Sequence, residues 1–190
     1  MIRSFIALEL EQEIIEKLRG VEEKLKSARA EVKWLNPSSI HLTLKFLGGV
    51  DEEMIGKIAG KAERIARKYE PFNLSVEGIG TFPTGKSPRV VWVGVKGDTN
   101  SLSQLQEQIE QEMSSLGFER EARGFTPHLT LGRVKSPGGK EELLQKVEED
   151  KGVKLGGFTV KSFYLFKSDL RPQGAVYTKI KTFVLNLPSR

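Results

Sequence analysis

One four-residue sequence, His-Leu-Thr-Leu, occurs twice in this chain, at 41–44 and again at 128–131. The chain has only two histidines, and each of them begins one copy of this sequence. A single histidine on a strand is usually a core or surface residue with no catalytic role. A matched pair is different, because histidine changes its charge near neutral pH and two of them can divide one proton-transfer cycle into an acid and a base. The repeat therefore favours an enzyme.

Strand alternation places a threonine on the same face as the first histidine. Ile40 to Leu47 is predicted as a strand that ends at Gly48-Gly49. On such a strand His41 and Thr43 share one face with Lys45. The opposite face, which is expected to meet the core, carries Ile40, Leu42, Leu44 and Phe46.

The second copy repeats this arrangement on a strand predicted over 128–134, where His128 and Thr130 share a face. If the two strands pack with these faces toward each other, both histidines and both threonines converge on one groove. There the threonine hydroxyls could donate hydrogen bonds to phosphate oxygens.

The remaining segments alternate between strand and helix patterns. Strands are predicted at 2–8, 72–82, 89–95, 158–166 and 175–185, with a turn at 83–88 and a hairpin loop at 168–174. Helices are predicted from Glu11 to an end within 28–30, at 51–69, at 100–116 and at 139–148.

The two halves of the chain show the same order of elements: a strand with the repeated sequence, a helix, and two strands joined by a hairpin. The histidines lie 128 − 41 = 87 residues apart, nearly half of the 190 residues. An internal pseudo-twofold duplication accounts for this economically. The length admits one compact unit or two small lobes equally well.

Composition excludes several classes of protein. Apolar residues make up 38% and charged residues 29%, as in ordinary globular proteins. The absence of cysteine removes disulfides, thiolate zinc sites and cysteine nucleophiles, and two histidines without nearby paired carboxylates make a poor metal site. We expect chemistry without a cofactor that is metal-free or takes its metal from the substrate.

The charge and the N-terminus indicate where the protein acts and on what. The net charge of +5 could steer a phosphate-bearing ligand toward a basic cleft, although a solvated Lys/Glu-rich surface explains most of these charges. No apolar run approaches a membrane span, and Glu9 interrupts the N-terminal apolar stretch. We expect a cytoplasmic protein with no membrane association.

Three segments together resemble a known superfamily. They are Phe5-Ile6-Ala7-Leu8, the run from His41 to Gly48 (HLTLKFLG), and the run from Arg123 to Arg133 (RGFTPHLTLGR). The chain resembles the 2H phosphoesterase superfamily, and within it the RNA 2′,3′-cyclic phosphodiesterases, also called 2′-5′ RNA ligases, of bacteria and archaea. The resemblance extends over essentially the whole chain, which indicates a single bilobed domain over 1–190.

The resemblance implies an α+β fold in which two antiparallel β-sheets line a central groove, with helices on the outside. It implies opening of a terminal 2′,3′-cyclic phosphate by water to give a 2′-phosphomonoester and, in some members, joining of RNA halves through a 2′-5′ linkage without ATP. The implied partner is RNA with such an end, tRNA halves included, and the protein is expected to be a monomer.

By the same resemblance, His41 and His128 become the general acid and base, and Thr43 and Thr130 the phosphate donors. A 2′-phosphate product requires the acid to lie beside O3′, and analogy with the family assigns this role to His41. The sequence itself is symmetric on this point.

Two further residues are candidates for substrate binding. Arg133 could hold phosphate as a bidentate donor, but its parity along an ideal strand is opposite to that of His128 and Thr130, so a salt bridge explains it equally well. Phe125 could stack on a base, although core packing explains it better.

A basic rim for RNA is a weaker prediction, because plain solvation explains any one of its members. Its candidates are Arg3, Lys45, Lys86, Arg89, Arg120 and Arg123. Trp34 and Trp92 are expected to be core or rim residues without chemistry.

Two alternatives stay open. The same four residues would serve another 2H reaction, such as hydrolysis of an ADP-ribose cyclic phosphate or of a 2′-5′ oligonucleotide. A non-catalytic nucleotide- or RNA-binding module could keep the groove, but the presence of both histidines argues against it.

Overall fold

A computed structural model of the chain describes residues 1–172 and 174–187. These residues form nine β-strands, four α-helices and a short 3₁₀ helix at Pro37–Ser39. The strands are β1 (Ile2–Leu8), β2 (Val32–Trp34), β3 (Leu42–Val50), β4 (Phe72–Phe82), β5 (Val90–Gly97), β6 (His128–Val134), β7 (Lys154–Val160), β8 (Ser162–Arg171) and β9 (Gly174–Val184). The helices are α1 (Gln12–Lys26), α2 (Glu52–Ala66), α3 (Thr99–Ser114) and α4 (Lys140–Glu149).

The strands form two antiparallel sheets. The first sheet has the order β3-β1-β8-β9, and the second has the order β2-β6-β5-β4-β7. Helices α2 and α3 pack on the first sheet, and α1 and α4 pack on the second. The predicted α+β class, with two antiparallel sheets and helices packed against them, is confirmed.

Helix α2 shows how local sequence sets an element boundary. The Asp51 side chain accepts a hydrogen bond from the Met54 backbone N–H at 2.8 Å, which satisfies one of the free donors at the helix start. Glu52 and Glu53 follow in the first turn, where negative charge suits the positive end of the helix dipole. The predicted start of this helix is therefore confirmed.

The hairpins of the two halves are exchanged between the sheets. The β4–β5 hairpin follows β3 in sequence but pairs with β6, the strand of the second copy. The β8–β9 hairpin follows β6 but pairs with β1, which in turn pairs with β3. Each sheet therefore needs strands from both halves of the chain.

The predicted single strand over 158–166 is wrong. Residues 154–160 form β7 at the edge of the second sheet, and 162–171 form β8 in the first sheet. Phe158 and Val160 precede Lys161 in the sequence, Phe163 and Leu165 follow it, and all four are buried. The alternation of apolar residues changes phase at Lys161-Ser162. A bulge within a single strand gives the same change of phase, so the pattern alone does not reveal that the chain crosses from one sheet to the other.

The predicted loop over 168–174 is also largely wrong, because β8 and β9 extend into it. Ser168 pairs with Tyr177, and the ladder continues to the pair of Arg171 with Gly174. Gln173, within the predicted loop, lies outside the described residues.

Both sheets contribute to one large hydrophobic cluster. It includes Ile6 and Leu42 from the first sheet and Val93 and Leu129 from the second. Within 1–172 and 174–187, every helix is too short or too polar to cross a membrane.

Candidate active site

The first histidine lies among aromatic rings of the first sheet. His41 directly precedes β3 and is half-buried. The centroid of its ring lies 6.1 Å from the ring centroid of Phe5, 4.7 Å from that of Phe166 and 5.3 Å from that of Tyr177, and each pair of rings meets edge to face. These rings come from β1, β8 and β9, so the surroundings of His41 are built from both ends of the chain.

The second histidine has fewer aromatic neighbours. His128 is the first residue of β6 in the second sheet. The ring of Phe82, at the end of β4, meets it edge to face at a centroid distance of 5.2 Å.

The same backbone hydrogen bond orients both imidazoles. His41 Nδ1 lies 2.8 Å from the carbonyl oxygen of Ser39, and His128 Nδ1 lies 2.7 Å from that of Thr126. A carbonyl oxygen can only accept, so Nδ1 carries the hydrogen in both residues. Each neutral imidazole therefore keeps its lone pair on Nε2, and each protonated imidazole has an Nε2–H to donate.

The predicted threonines keep their places beside the histidines. Thr43 and Thr130 are both half-buried and lie two residues after His41 and His128. Thr43 is paired with Ala7 of β1, and Thr130 with Trp92 of β5. The convergence of the two groups on one groove stays a prediction.

A β-bulge changes the predicted faces of β3. Ile6 is opposite Lys45 and Ala7 is opposite Thr43, which leaves Leu44 as an extra residue. After the bulge the alternation is inverted. Lys45 is 3% exposed on the helix side of the sheet, and Phe46 is 61% exposed. The predictions that Lys45 shares the face of His41 and that Phe46 faces the core are therefore wrong.

Helix α3 holds this bulge in place. The ammonium group of buried Lys45 lies 3.0 Å from Glu110 Oε2 and also donates to the carbonyl oxygen of Glu119. Gln106 Nε2 donates to the carbonyl oxygen of Leu44, the bulged residue, at 3.3 Å. Lys45 is thus a buried structural residue and does not belong to a basic rim.

A second bulge occurs at the equivalent place in β6. Trp92 is opposite Thr130 and Val91 is opposite Gly132, so Leu131 is the extra residue. Val90 then pairs with Arg133.

Val90 and Trp92 lie on the same face of β5. Their partners, Arg133 and Thr130, therefore lie on the same face of β6, which is also the face of His128. Phe82 also pairs with Val90, and its ring reaches His128, which supports the same face for all of them. The parity predicted for Arg133 is therefore wrong. In the described part of the chain Arg133 has no carboxylate within 4.0 Å, so the alternative of a salt bridge also fails.

The two bulges place different side chains at matching positions. Phe46 follows His41 by 46 − 41 = 5 residues, and Arg133 follows His128 by 133 − 128 = 5 residues. Both lie on the histidine side of their sheets, both are exposed, and one is aromatic where the other is cationic. A base can stack on the first, and a phosphate can bind the second.

The other candidates differ in their surroundings. Phe125 is half-buried and packs against the main hydrophobic cluster, as core packing requires, so its contact with a base stays a prediction. Arg120 forms a salt bridge with Glu107, which leaves it less available to a basic rim. Arg3, Lys86, Arg89 and Arg123 are exposed.

Trp92, which was predicted to be a core or rim residue, lies next to the candidate active site. It is paired with Thr130, and its ring lies over Gly80, where a Cβ atom would approach the indole to 2.3 Å. Its indole Nε1 is buried and has no hydrogen-bond acceptor within the described residues.

Burial changes the acid–base properties of the first histidine. It lowers the pKa of His41 below its ordinary 6.5, and the nearby charge of Lys179 adds to this effect. The Ser39 carbonyl and the Glu9 carboxylate act in the opposite direction but are weaker than the burial. Neutral His41 suits a base in the free protein. As the acid it needs the negative charge of a substrate to raise its pKa.

A comparison with protein families decides the relationship. Residues 7–172 match the family model described as the 2′-5′ RNA ligase superfamily. The chain belongs to the 2′-5′ RNA ligase superfamily. The resemblance carried by the doubled His-Leu-Thr-Leu sequence is confirmed.

Members of this superfamily match the chain over nearly its whole length. The proteins named RNA 2′,3′-cyclic phosphodiesterase from Methanothermobacter thermautotrophicus and Thermotoga maritima are each 37% identical to it. The alignments cover 97% of this chain and 99% of the first relative, and 93% of this chain and 91% of the second.

Solved structures show the same fold. The crystal structure of TT0787 of Thermus thermophilus superimposes with a TM-score of 0.82 at 29% identity, covering 99% of this chain and 100% of that one. That of E. coli LigT complexed with 3′-AMP gives 0.78 at 28% identity, covering 97% and 98%.

Sequence alternation alone missed two features of this superfamily member: the exposure of Phe46 and the orientation of Arg133. Both depend on bulges, which are set by pairing with neighbouring strands. The one signal in the sequence is that these two residues stand at the same distance from the two histidines.

Proposed function

We propose that this chain is an RNA 2′,3′-cyclic phosphodiesterase, which opens a terminal 2′,3′-cyclic phosphate with water to give a 2′-phosphomonoester. The observation that carries the proposal is the matched state of the two histidines. In each, Nδ1 is bound to the carbonyl two residues upstream, and Nε2 has no hydrogen-bond partner among the described residues, which leaves it for proton transfer. The names of the curated relatives support the same reaction.

The proposed reaction is an in-line displacement at phosphorus. The Nε2 atom of one neutral imidazole takes a proton from water as the water oxygen attacks phosphorus. The bond from phosphorus to O3′ breaks, and the second imidazole, protonated, donates its Nε2 proton to O3′. The products are a free 3′-hydroxyl and a 2′-phosphate, and the two imidazoles end with their protonation states exchanged.

Three further side chains would stabilise the charge on the phosphate oxygens. Thr43 and Thr130 supply hydroxyl donors from the two strands, and Arg133 supplies a guanidinium group on the face of Thr130. Replacing water by the 5′-hydroxyl of a second RNA in the same reaction would give 2′-5′ joining, so one arrangement serves both.

The direct test uses the purified protein after treatment with a chelator. An RNA oligonucleotide ending in a 2′,3′-cyclic phosphate should be converted to the 2′-phosphate, identified by mass and against authentic 2′- and 3′-phosphate standards. Because both proton carriers are histidines, chelation should leave the rate unchanged. A 3′-phosphate product, or loss of activity on chelation, would contradict the proposal. Parallel reactions with an RNA 5′-hydroxyl end, a 2′-5′ dinucleotide and an ADP-ribose cyclic phosphate separate the alternatives.

The lowered pKa of His41 allows a test of which histidine is the acid. Lys179 Nζ lies 2.8 Å from Glu9 Oε2. The positive charge of Lys179 lowers the pKa of His41, and the negative charge of Glu9 raises it. Lys179→Gln should therefore raise the pKa of His41. In the bell-shaped pH profile of kcat/KM, the limb governed by His41 should move to higher pH. A shift of the acidic limb makes His41 the base, and a shift of the alkaline limb makes it the acid.

A matched control lies on the same strand. Lys181 approaches Glu63 of α2 and is opposite buried Leu165. Lys181→Gln should move neither limb. If Lys179→Gln also moves neither, His41 does not govern the pH dependence.

A further inference from the structure

An open cavity of about 500 Å³ lies at one end of the second sheet. It is formed by the start of β5, the end of β6 and the segment that leads into α4. Four of its nine lining residues are cationic, and none is acidic among the described residues: Arg89, Arg133, Lys135 and Lys140. We call this cavity the basic pocket.

The cations of the basic pocket differ from many others on the surface. Lysines on the helices are commonly paired with carboxylates, as Lys17 is with Glu13 and Lys57 with Glu53, both at 2.7 Å. Within 1–172 and 174–187, no carboxylate lies within 4.0 Å of any of the four cations of the pocket. Like charges held together without counter-charges repel one another, and a bound polyanion relieves that repulsion.

Arg133 belongs both to the basic pocket and to the candidate active site. This residue lines the pocket, and the bulge at Leu131 places it on the sheet face of His128 and Thr130. Along β6 it lies five residues beyond His128, which at about 3.3 Å per residue is at most ~16 Å. Lys135 follows two residues further on. A ligand anchored at His128 can therefore extend along β6 into the pocket.

We propose that the basic pocket binds internal phosphodiesters of the same RNA strand, on the 5′ side of the cyclic end. This inference rests on the proposed function and specifies its substrate class. The protein then acts on oligonucleotides in preference to nucleoside 2′,3′-cyclic monophosphates, because only an oligonucleotide has further phosphates to reach Lys135 and Lys140.

The test compares two substrates. Lys135→Gln, Lys140→Gln and the double variant are assayed with a short RNA ending in a cyclic phosphate and with a 2′,3′-cyclic mononucleotide. The ratio of kcat/KM for the oligonucleotide to that for the mononucleotide should fall severalfold in each single variant and further in the double variant. In a plot of log kcat/KM for the oligonucleotide against log salt, the slope should become shallower by about 0.7 for each charge removed.

Lys154→Gln is the control, because Lys154 is exposed on β7, the edge strand at the far side of the same sheet from β6. No second RNA is present in the hydrolysis assay, so an effect there belongs to the substrate strand and not to a joining partner. Equal losses on both substrates, or a ratio and salt slope no different from those of Lys154→Gln, would overturn the inference. If wild type opens neither substrate, the proposed function itself fails.

Discussion

His41→Ala and His128→Ala are each expected to lower kcat for opening a 2′,3′-cyclic phosphate by on the order of 10²- to 10⁴-fold. Within the described residues the hydrogen bond of each histidine is made by Nδ1, which leaves Nε2 for proton transfer, and the sequence has no third histidine to replace either of them. The double variant should lose much less than the product of the two single losses, because the two groups act in one concerted step. The rate is best measured with a cyclic mononucleotide, which has no further phosphate to reach Lys135 or Lys140.

Asparagine provides a matched control for each histidine. Its side-chain amide can donate to the carbonyl that Nδ1 now contacts, while nothing replaces Nε2. His128→Asn should therefore unfold at nearly the same urea concentration as wild type and yet be as inactive as His128→Ala. Activity within tenfold of wild type in any of these variants would contradict the two-histidine mechanism.

Glu110→Ala is expected to lower the free energy of unfolding by about 3–5 kcal/mol, because it leaves a buried ammonium group without its counter-charge. The Lys45 and Glu110 side chains are 2% and 4% exposed, and Glu110 also accepts from the backbone N–H of Glu121. Urea unfolding with linear extrapolation measures this loss.

Two variants accompany this measurement. Glu53→Ala breaks an exposed pair, in which the Glu53 and Lys57 side chains are 80% and 53% exposed, and should cost about 0.5 kcal/mol or less. Lys45→Met combined with Glu110→Leu removes both buried charges and should be less destabilised than the sum of the two single changes. If Glu110→Ala lowers the free energy of unfolding by no more than Glu53→Ala does, the buried pair of Lys45 and Glu110 does not stabilise the bulge of β3.

The elements of the fold were predictable where a local pattern decides them. Strands β4 and β6 begin and end as alternation predicts, and α2 begins after the residue that caps it. The faces of Phe46 and Arg133 were not predictable, because a single bulged residue inverts the alternation beyond it. That residue is identified only by the pairing of β3 with β1 and of β6 with β5.

The assignment of strands to the two sheets could not be predicted from the sequence for a similar reason. The alternation changes phase between Phe158 and Phe163, as a bulge in one strand would make it do, yet the two residues are buried in different sheets. Such a crossing is decided by which surfaces remain to be covered when the whole chain is packed. The two histidines could be proposed as a catalytic pair because that proposal depends on chemistry and on a repeated sequence, neither of which requires the sheet order.

The exchange of hairpins has a consequence for how this protein is made. The rings that surround His41 include Phe166 and Tyr177, which lie 166 − 41 = 125 and 177 − 41 = 136 residues further along the chain. During synthesis from the N-terminus, the first sheet cannot close until its last two strands have emerged. His41 therefore acquires its complete aromatic surroundings only after nearly the whole chain has been synthesised. Contacts of this sequence separation favour slow folding in one late cooperative step over folding of one half after the other.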